Sequence, residues 1–417
     1  MPDAQKALMD LQTGADVLFL VIGAVLVLAM HAGFAFLQAG TVRHKNQVNA
    51  LSTVLATLAV SVVAYFLVGF GIAYRISFFA GAPDLSGAAT GFGPQGLTLA
   101  KFVLLAAFAA AVPAIVSGGI AERARLLPQG VAAALVVALV YPLLEGVVWN
   151  GNYGLQQTVF DATFGVPFHD FAGSIVVHAV GGWLAFSAVR QLGPRLGRYD
   201  AAGGAGFPPS SVPWLAIGTW LLCIGWFGFN VMSAHALQGV SGLVAMNTLM
   251  AMSGGILAAL IAGEGDAGFI HKGALAGLVA ICAGADVVHP AGALLIGGVA
   301  GVIFVQVSQA AAGPQWNFDD PLGVWALHGL CGLWGGIACG IFGLASFGGM
   351  GGVSFQAQLV GSVLGAVYAM VVGAVVYAAI DMLIGLRLAP QDEQRGADLA
   401  IHKVAANPAE DVRLGRI

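Results

Sequence analysis

DFAGSIVVHAVGGW, from Asp170 to Trp183, sets His178 inside an apolar run, with Gly182 four residues on and Asp170 eight residues back. A second stretch, DPLGVWALHGLCGLW from Asp320 to Trp334, repeats the arrangement with Asp320, His328 and Gly332. A charged side chain inside a bilayer costs roughly 3 to more than 10 kcal/mol. Even a neutral imidazole needs hydrogen-bond partners there. Two imidazoles at equivalent positions of a repeat can satisfy each other, one ring donating N–H and the other accepting. Such a pair can pass a proton or hold a small polar molecule, and each ring opposes a second charge beside it, so at most one is protonated. The other reading is two unrelated core histidines bonded to backbone.

Composition says what surrounds these stretches. The 417 residues are 59% hydrophobic and 9% charged, with mean hydropathy +0.88, whereas a soluble domain carries about 25% charged residues. A water-facing surface cannot be covered with so few charges, which leaves a bundle of membrane helices. The 61 glycines fit close helix packing, since small residues let backbones approach where the hydrophobic drive is missing. Cys223, Cys282, Cys331 and Cys339 all lie in apolar runs, form no C-x-x-C pair, and read as small buried hydrophobes.

Eleven apolar segments approach or exceed the spanning length of about 20 residues. They lie near 15–39, 47–73, 98–120, 128–149, 171–191, 212–233, 238–263, 272–286, 290–312, 322–344 and 355–386, the eighth being short and rich in Gly and Ala. With eleven spans, alternate loops and the tail collect thirteen of the sixteen Lys and Arg residues. The other side holds Lys6, Arg75 and Lys101. By the positive-inside rule the N-terminus is outside and the C-terminus cytoplasmic. The expected fold is therefore an all-α polytopic membrane protein in the cell inner membrane. His178 and His328 fall in the fifth and tenth spans, so two repeats of five helices (about 15–191 and 212–344) would enter from opposite sides. They would be inverted, as in many transporters, with an eleventh helix at 355–386. Residues 1–388 form the transmembrane domain and 389–417 a polar tail too short to be a domain. The opening MPDAQKALMDLQTGAD has acidic Asp3, Asp10 and Asp16 and no basic start, unlike a secretory signal.

Other residues invite a role. Asp170 is placed to cap the fifth helix or to set negative charge near a cation entrance. Phe108 lies in the third span, and the sixth ends IGWFGFNVMS, with Trp226, Phe229 and Ser233; Trp149 ends the fourth. Aromatics at a membrane boundary are usually interface anchors. Phe229 with Asn230 and Ser233 also suits a cation site, because a cation over aromatic faces gains about 0.5–2 kcal/mol. His31 and Gln38 share a face of the first span and can bond across helices. His169, His235 and the remaining histidines sit in loops or the tail, without metal-ligand spacing. GIFGLASFGGMGG follows a helix and lacks the Lys-Ser/Thr ending of a phosphate loop.

DFAGSIVVH, IGWFGFN, the H-G-x-C-G at His328, and GLR followed by a Gly-Ala-Asp tail resemble the Amt/Mep/Rh ammonium transporters, in detail the bacterial Amt branch. The likeness runs from about Gly33 to His402. It implies eleven helices in two inverted repeats and a homotrimer with one pore per subunit. His178 and His328 would be twin pore histidines, and Phe108 and Phe229 the stacked gate. Trp149, Ser233 and Phe108 would bind ammonium outside, with Asp170 nearby. The tail would correspond at Gly385, Arg387, Glu393, Gly396, Asp398 and His402, with a cytoplasmic PII signalling protein as a partner. No cofactor, metal or nucleic acid is implied. The chain departs from the family at the long stretch between Trp149 and Asp170, at Ser174 and Gly323, and at His402-Lys403-Val404.

The resemblance implies a cycle in which ammonium, or its analogue methylammonium, is selected outside, deprotonated near the gate and conducted as ammonia past the histidines. An ammonium sensor with low flux and an Rh-like channel for neutral gas are the alternatives. A membrane enzyme is disfavoured, as no nucleophile triad or metal constellation stands among the intramembrane polar residues.

Overall fold

The computed structural model describes residues 2–86, 96–199, 207–237 and 239–413; Arg416, counted above with the tail charges, lies outside them. Among the described residues ten helices are long and apolar enough to cross a membrane: α1 Asp3–Thr41, α2 His44–Tyr74, α3 Leu97–Gly119, α4 Leu126–Asn150, α5 Ser174–Leu192, α6 Val212–Ala234, α7 Ser241–Ala262, α9 Pro290–Ala311, α10 Trp325–Phe342 and α11 Phe355–Ile384. The shorter α8, Ala267–Ile281, completes eleven. Among the described residues the one β-type contact is a bridge between Ala124 and Arg387.

Two boundaries differ from expectation. The helix of α1 begins at the start of the chain, because nothing between Asp3 and Asp16 breaks it. Helix α8 runs earlier than 272–286 and stops at Ile281, where Cys282–Asp286 form turns. There the carbonyls of Cys282 and Ala283 accept the N–H groups of Ala172 (2.8 Å) and Phe171 (3.1 Å) from the segment leading into α5. A helix carried through Asp286 would use those carbonyls itself and leave the α5 approach unpaired. The unexpected Ser174 belongs to the same joint. Its hydroxyl donates to the Val279 carbonyl and accepts from Ala283 N–H, both at 2.8 Å.

Helices at equivalent positions of the two halves meet. The opening helices α1 and α6 lie so close that a Cβ on Gly40 would strike the Leu215 backbone, and one on Gly218 the backbone of Leu37. Helices α5 and α10 cross still more tightly. A Cβ on Gly182 would overlap the backbone of Gly329, and one on Gly332 the carbonyl of Ser174 and the N–H of Ala179. Each glycine four residues after a histidine therefore packs on the residue that follows the other histidine. Helix α11 straps this crossing, with Gly373 against Leu184 and the Ser187 hydroxyl donating to the Met370 carbonyl at 2.7 Å.

The loops α1/α2, α3/α4, α5/α6 and α9/α10 share one end of the bundle with the tail. Glu122 pairs there with Arg43 and Arg195, and Asp319 with Arg195 (2.7 Å) and Arg198 (3.2 Å). These alternate loops and the tail can share an end only if the number of crossings is odd. This is called the tail face below.

Overpacking a closed helix crossing costs about 1–3 kcal/mol. Gly332→Ala is accordingly expected to lower the unfolding temperature of the detergent-purified protein by several degrees. Gly130→Ala in α4, where an added Cβ meets nothing within 4 Å, should leave it level or raise it slightly, since Ala is favoured over Gly in a helix by about 0.5–1 kcal/mol. Equal effects of the two substitutions would contradict the crossing as described.

Candidate functional site

Asp170 and Asp320 organise the two ends from which the histidines project. The Asp170 carboxylate accepts N–H bonds from Gly173 (3.2 Å), Ile175 (3.0 Å) and Val176 (2.8 Å). Asp320 accepts from Gly323 (3.0 Å) and Trp325 (2.8 Å). Gly173 and Gly323, each three residues after its Asp, hold positive φ of 92° and 73°. That backbone needs glycine, which accounts for Gly323. Burial pushes the Asp170 carboxyl up to about 6, against the pull of these N–H donors. Both capped ends open as π-turns, Ser174–Ala179 and Trp325–Leu330. Such wide turns recur at functional sites, and the sequence pattern did not announce them.

The π-turns carry His178 and His328, both fully buried, to an Nδ1–Nδ1 separation of 3.3 Å. One Nδ1 donates its proton and the other accepts. The Nε2 of His178 finds no protein partner among the described residues. A buried imidazole nitrogen without a partner is a site that a small polar molecule can satisfy.

Aromatic rings continue the line. Phe108 of α3 and Phe229 of α6 stack face to face, 3.9 Å between centroids and 6° between planes. Phe229 lies 5.2 Å from His178, and Trp226 stacks on His178 at 5.0 Å. Trp226 in turn donates to Cys282 Sγ at 3.2 Å. Beyond the histidines Phe34 stands 6.3 Å from His328. Trp226 and Phe34 were not singled out beforehand as neighbours of the histidines. The signal for Trp226 was its spacing, three residues before Phe229 on the same helical face. Of the pair His31 and Gln38, Gln38 reaches across to Ser117 Oγ at 2.8 Å, while His31 Nδ1 bonds the Val27 carbonyl on its own helix.

On the face away from the tail, the phenylalanine stack borders a cavity of about 450 Å³ lined by Trp149, Asp170, Ser233, Gln156, His169 and His235, among others. Trp149 approaches Phe108 edge-on at 6.2 Å and donates to the Asp170 carbonyl at 2.6 Å. Ser233 Oγ donates to the Phe229 carbonyl at 2.8 Å, which leaves its lone pairs for a donor in the cavity. Trp149, Ser233, Phe108 and Asp170 are thus brought together around one space. His169 and His235, set aside as loop residues, line it too. Burial opposes the charge on His169, but its bond to Asp286 (2.9 Å) and that carboxylate's charge hold its pKa above the ordinary value. Burial, aided by Lys101, pushes His235 down to about 3. The long 150–169 stretch forms the cavity rim, closed on itself by Gln156, which exchanges bonds of 3.0 Å with the backbone of Phe168.

The tail residues meet the chain's own loops. Arg387 bonds Glu393 (2.9 Å) and the carbonyls of Leu192 and Pro194. Asp398 accepts the N–H groups of Val48 and Asn49 at the start of α2, and Gly396, at φ 104°, packs on Lys45. Gly385 ends α11 at φ 71°. Lys403, in the departing His402-Lys403-Val404, also holds a left-handed φ of 61°.

Residues 18–407 match the Ammonium Transporter Family. The chain is 39% identical to ammonium transporter Amt2 of Methanocaldococcus jannaschii, over 98% of this chain and 94% of that one. It is 36% identical to ammonium transporter Amt2 of Archaeoglobus fulgidus, over 94% and 88%. Among solved structures it superposes on a Sensor Amt Protein with a TM-score of 0.84 at 29% identity, covering 94% of this chain and 99% of that one. On Mep2 of Candida albicans the TM-score is 0.76 at 25% identity, covering 90% and 86%.

Removing the Asp170 carboxylate strands up to three buried N–H groups, each worth about 1–3 kcal/mol when unpaired. Asp170→Ala is expected to cut the yield of folded protein or lower its unfolding temperature sharply. Asp170→Asn, which keeps one acceptor oxygen, should fall between it and the wild type. Equal melting of all three proteins would show that the cap is not needed.

Proposed function

The chain belongs to the Ammonium Transporter Family, and from that premise we propose how its residues move ammonium across the membrane. The cavity around Trp149, Ser233, Phe108 and Asp170 takes up ammonium on the outer face. The Phe108–Phe229 stack closes the way inward. Near that stack ammonium gives its proton to the imidazole pair at the partnerless Nε2 of His178, one ammonium N–H bond breaking as an imidazolium N–H bond forms, and ammonia passes along the His178–His328 pair while the proton travels inward through the two rings. The observation that carries this reading is the unbroken file of rings from Trp149 through Phe108, Phe229 and His178 to His328. From Phe108 inward the rings of the file are buried, and a hydrated cation entering there loses its water.

A cation above aromatic faces is stabilised, and a carboxylate beside it adds attraction. Beyond the stack the hydrogen-bonding groups in the file are the imidazoles, which suit a neutral donor-acceptor molecule. Thirteen of sixteen Lys and Arg residues assigned to the tail side support a cytoplasmic tail, an outer N-terminus and residence in the cytoplasmic membrane. The division into a transmembrane domain (1–388) and a tail (389–417) follows the polar change after Pro390. The wide apolar face of α6, where Ile217, Trp220 and Ile224 are exposed, supports a homotrimer. Gly385, Arg387, Gly396 and Asp398 would set the docked tail, the element that a PII-type protein would meet.

Ammonium pulses on purified protein in a supported bilayer test the pore. His178→Ala and His328→Ala should each change the ammonium-evoked current, or its ratio to potassium current, by tenfold or more; if neither quantity moves, the pair has no part in conduction. Uptake of methylammonium into vesicles separates transport from sensing, and absence of net charge movement would favour a neutral gas channel.

Asp170 adds a pH signature. Its folded pKa lies above that of an exposed aspartate, so its stability contribution is full at low pH and declines as pH rises through about 6. Attraction of ammonium runs the opposite way, because the carboxylate charge is present only above that pH. Apparent ammonium affinity should rise with a midpoint near pH 6, and Asp170→Asn should flatten the profile.

A further inference from the structure

At the tail face lies a second cavity, of about 290 Å³. Gly323, Trp325 and Ala326 line it, on the segment that carries His328 two residues further on. Among the described residues the charged side chains around it are Arg195, Arg198, Lys272, Asp319 and Asp320. Both carboxylates are committed. Asp319 binds Arg195 through both oxygens and also Arg198, and Asp320 caps the π-turn through the N–H groups of Gly323 and Trp325. Lys272 of α8 stands half-buried at this cavity and makes no hydrogen bond or ion pair among the described residues. Among the described residues three cations therefore line the cavity beside two carboxylates, and Lys272 is the cation that touches neither, although it feels the charges of Asp320 and Asp266. The cavity at the opposite mouth differs in sign, since Asp170 lines it and no Lys or Arg does among the described residues.

We propose that Lys272 makes the tail-side mouth a cation-repelling exit: ammonia leaves through it, ammonium does not bind in it, and ammonium binding is confined to the opposite mouth. The inference rests on the transport reading above and assigns a specificity-determining role to a residue outside the outer site, the gate and the histidine pair. A cleft walled by low-dielectric protein focuses the field of a fixed charge, so one ammonium group at a narrow mouth strongly depletes a monovalent cation there. It leaves a neutral molecule of the same size unaffected. Such a charge cannot drive flux against a gradient. What it changes is how readily each mouth fills with ammonium, and hence the half-saturating concentration measured from each side.

The experiment uses full-length protein in vesicles of defined orientation, with the half-saturating ammonium concentration measured separately for flux entering from each face. Lys272→Met keeps the length of the side chain and removes its charge. It should lower the tail-side value about tenfold and leave the opposite-side value within about twofold. Lys272→Arg should behave as the wild type. Raising salt to 1 M, where charges are screened within about 3 Å, should bring the wild type toward the Met variant. The proposal fails if Lys272→Met leaves the tail-side value unchanged, if it shifts both sides alike, or if Lys272→Arg matches Lys272→Met. A wild type with no ammonium flux from either side would instead sink the transport reading itself.

Discussion

The structure depends on one close approach, the crossing of α5 and α10 at Gly182 and Gly332. Backbone lies on backbone there: Gly182 on Gly329, and Gly332 on Ser174 and Ala179. Close packing takes the place of the hydrophobic effect when helices associate in lipid. It also fixes the distance between whatever side chains stand one turn away. Here those side chains are two imidazoles 3.3 Å apart. A methyl group at either glycine would part the helices, and each ring would lose its hydrogen bond to the other. The capping aspartates, the π-turns and the strap of α11 all serve to hold this crossing in register.

Charge is handled in the opposite way at the tail face. Buried ions are tolerated when paired and further hydrogen-bonded. Glu122 meets Arg43, Arg195 and Asn46, while Asp319 meets Arg195 and Arg198. These bonds tie four loops to one another, and the tail joins them through Arg387 with Glu393 and through Asp398 at the start of α2. The bundle thus has an apolar middle, where charged groups are few, and an ionic base that holds the loops together. Lys272 stands out against that base because among the described residues its charge is not matched by contact.

Much of this was legible beforehand, for identifiable reasons. The cost of placing polar groups in lipid makes long apolar runs unmistakable, so all but one of the eleven helices cover the expected runs, α1 extending its run back to the polar start. The exception, α8, ends early because its last carbonyls are claimed by Phe171 and Ala172, more than a hundred residues away in the chain. Local composition carries no trace of such a bond. The capping role of Asp170 followed from its position before the helix, yet the three N–H groups it would collect depended on the positive φ at Gly173. His169 and His235 were passed over because loop histidines are common. Only the folding of the 150–169 rim brings them to the same cavity as Trp149 and Ser233.

By itself the sequence determined the class of the protein, the number and parity of its crossings, and the repeated unit of Asp, His and Gly. These follow from periodic, short-range rules: what lipid accepts, which residues cap, and where basic residues gather. The tertiary structure alone decided which side chains meet. It set the stacking of Phe108 on Phe229, the contact of His178 with His328, the end of α8, and the place of Lys272 at the tail-side cavity. Each of these joins residues far apart along the chain, and such distances are set by how closely backbones can approach, which no local pattern of residues encodes.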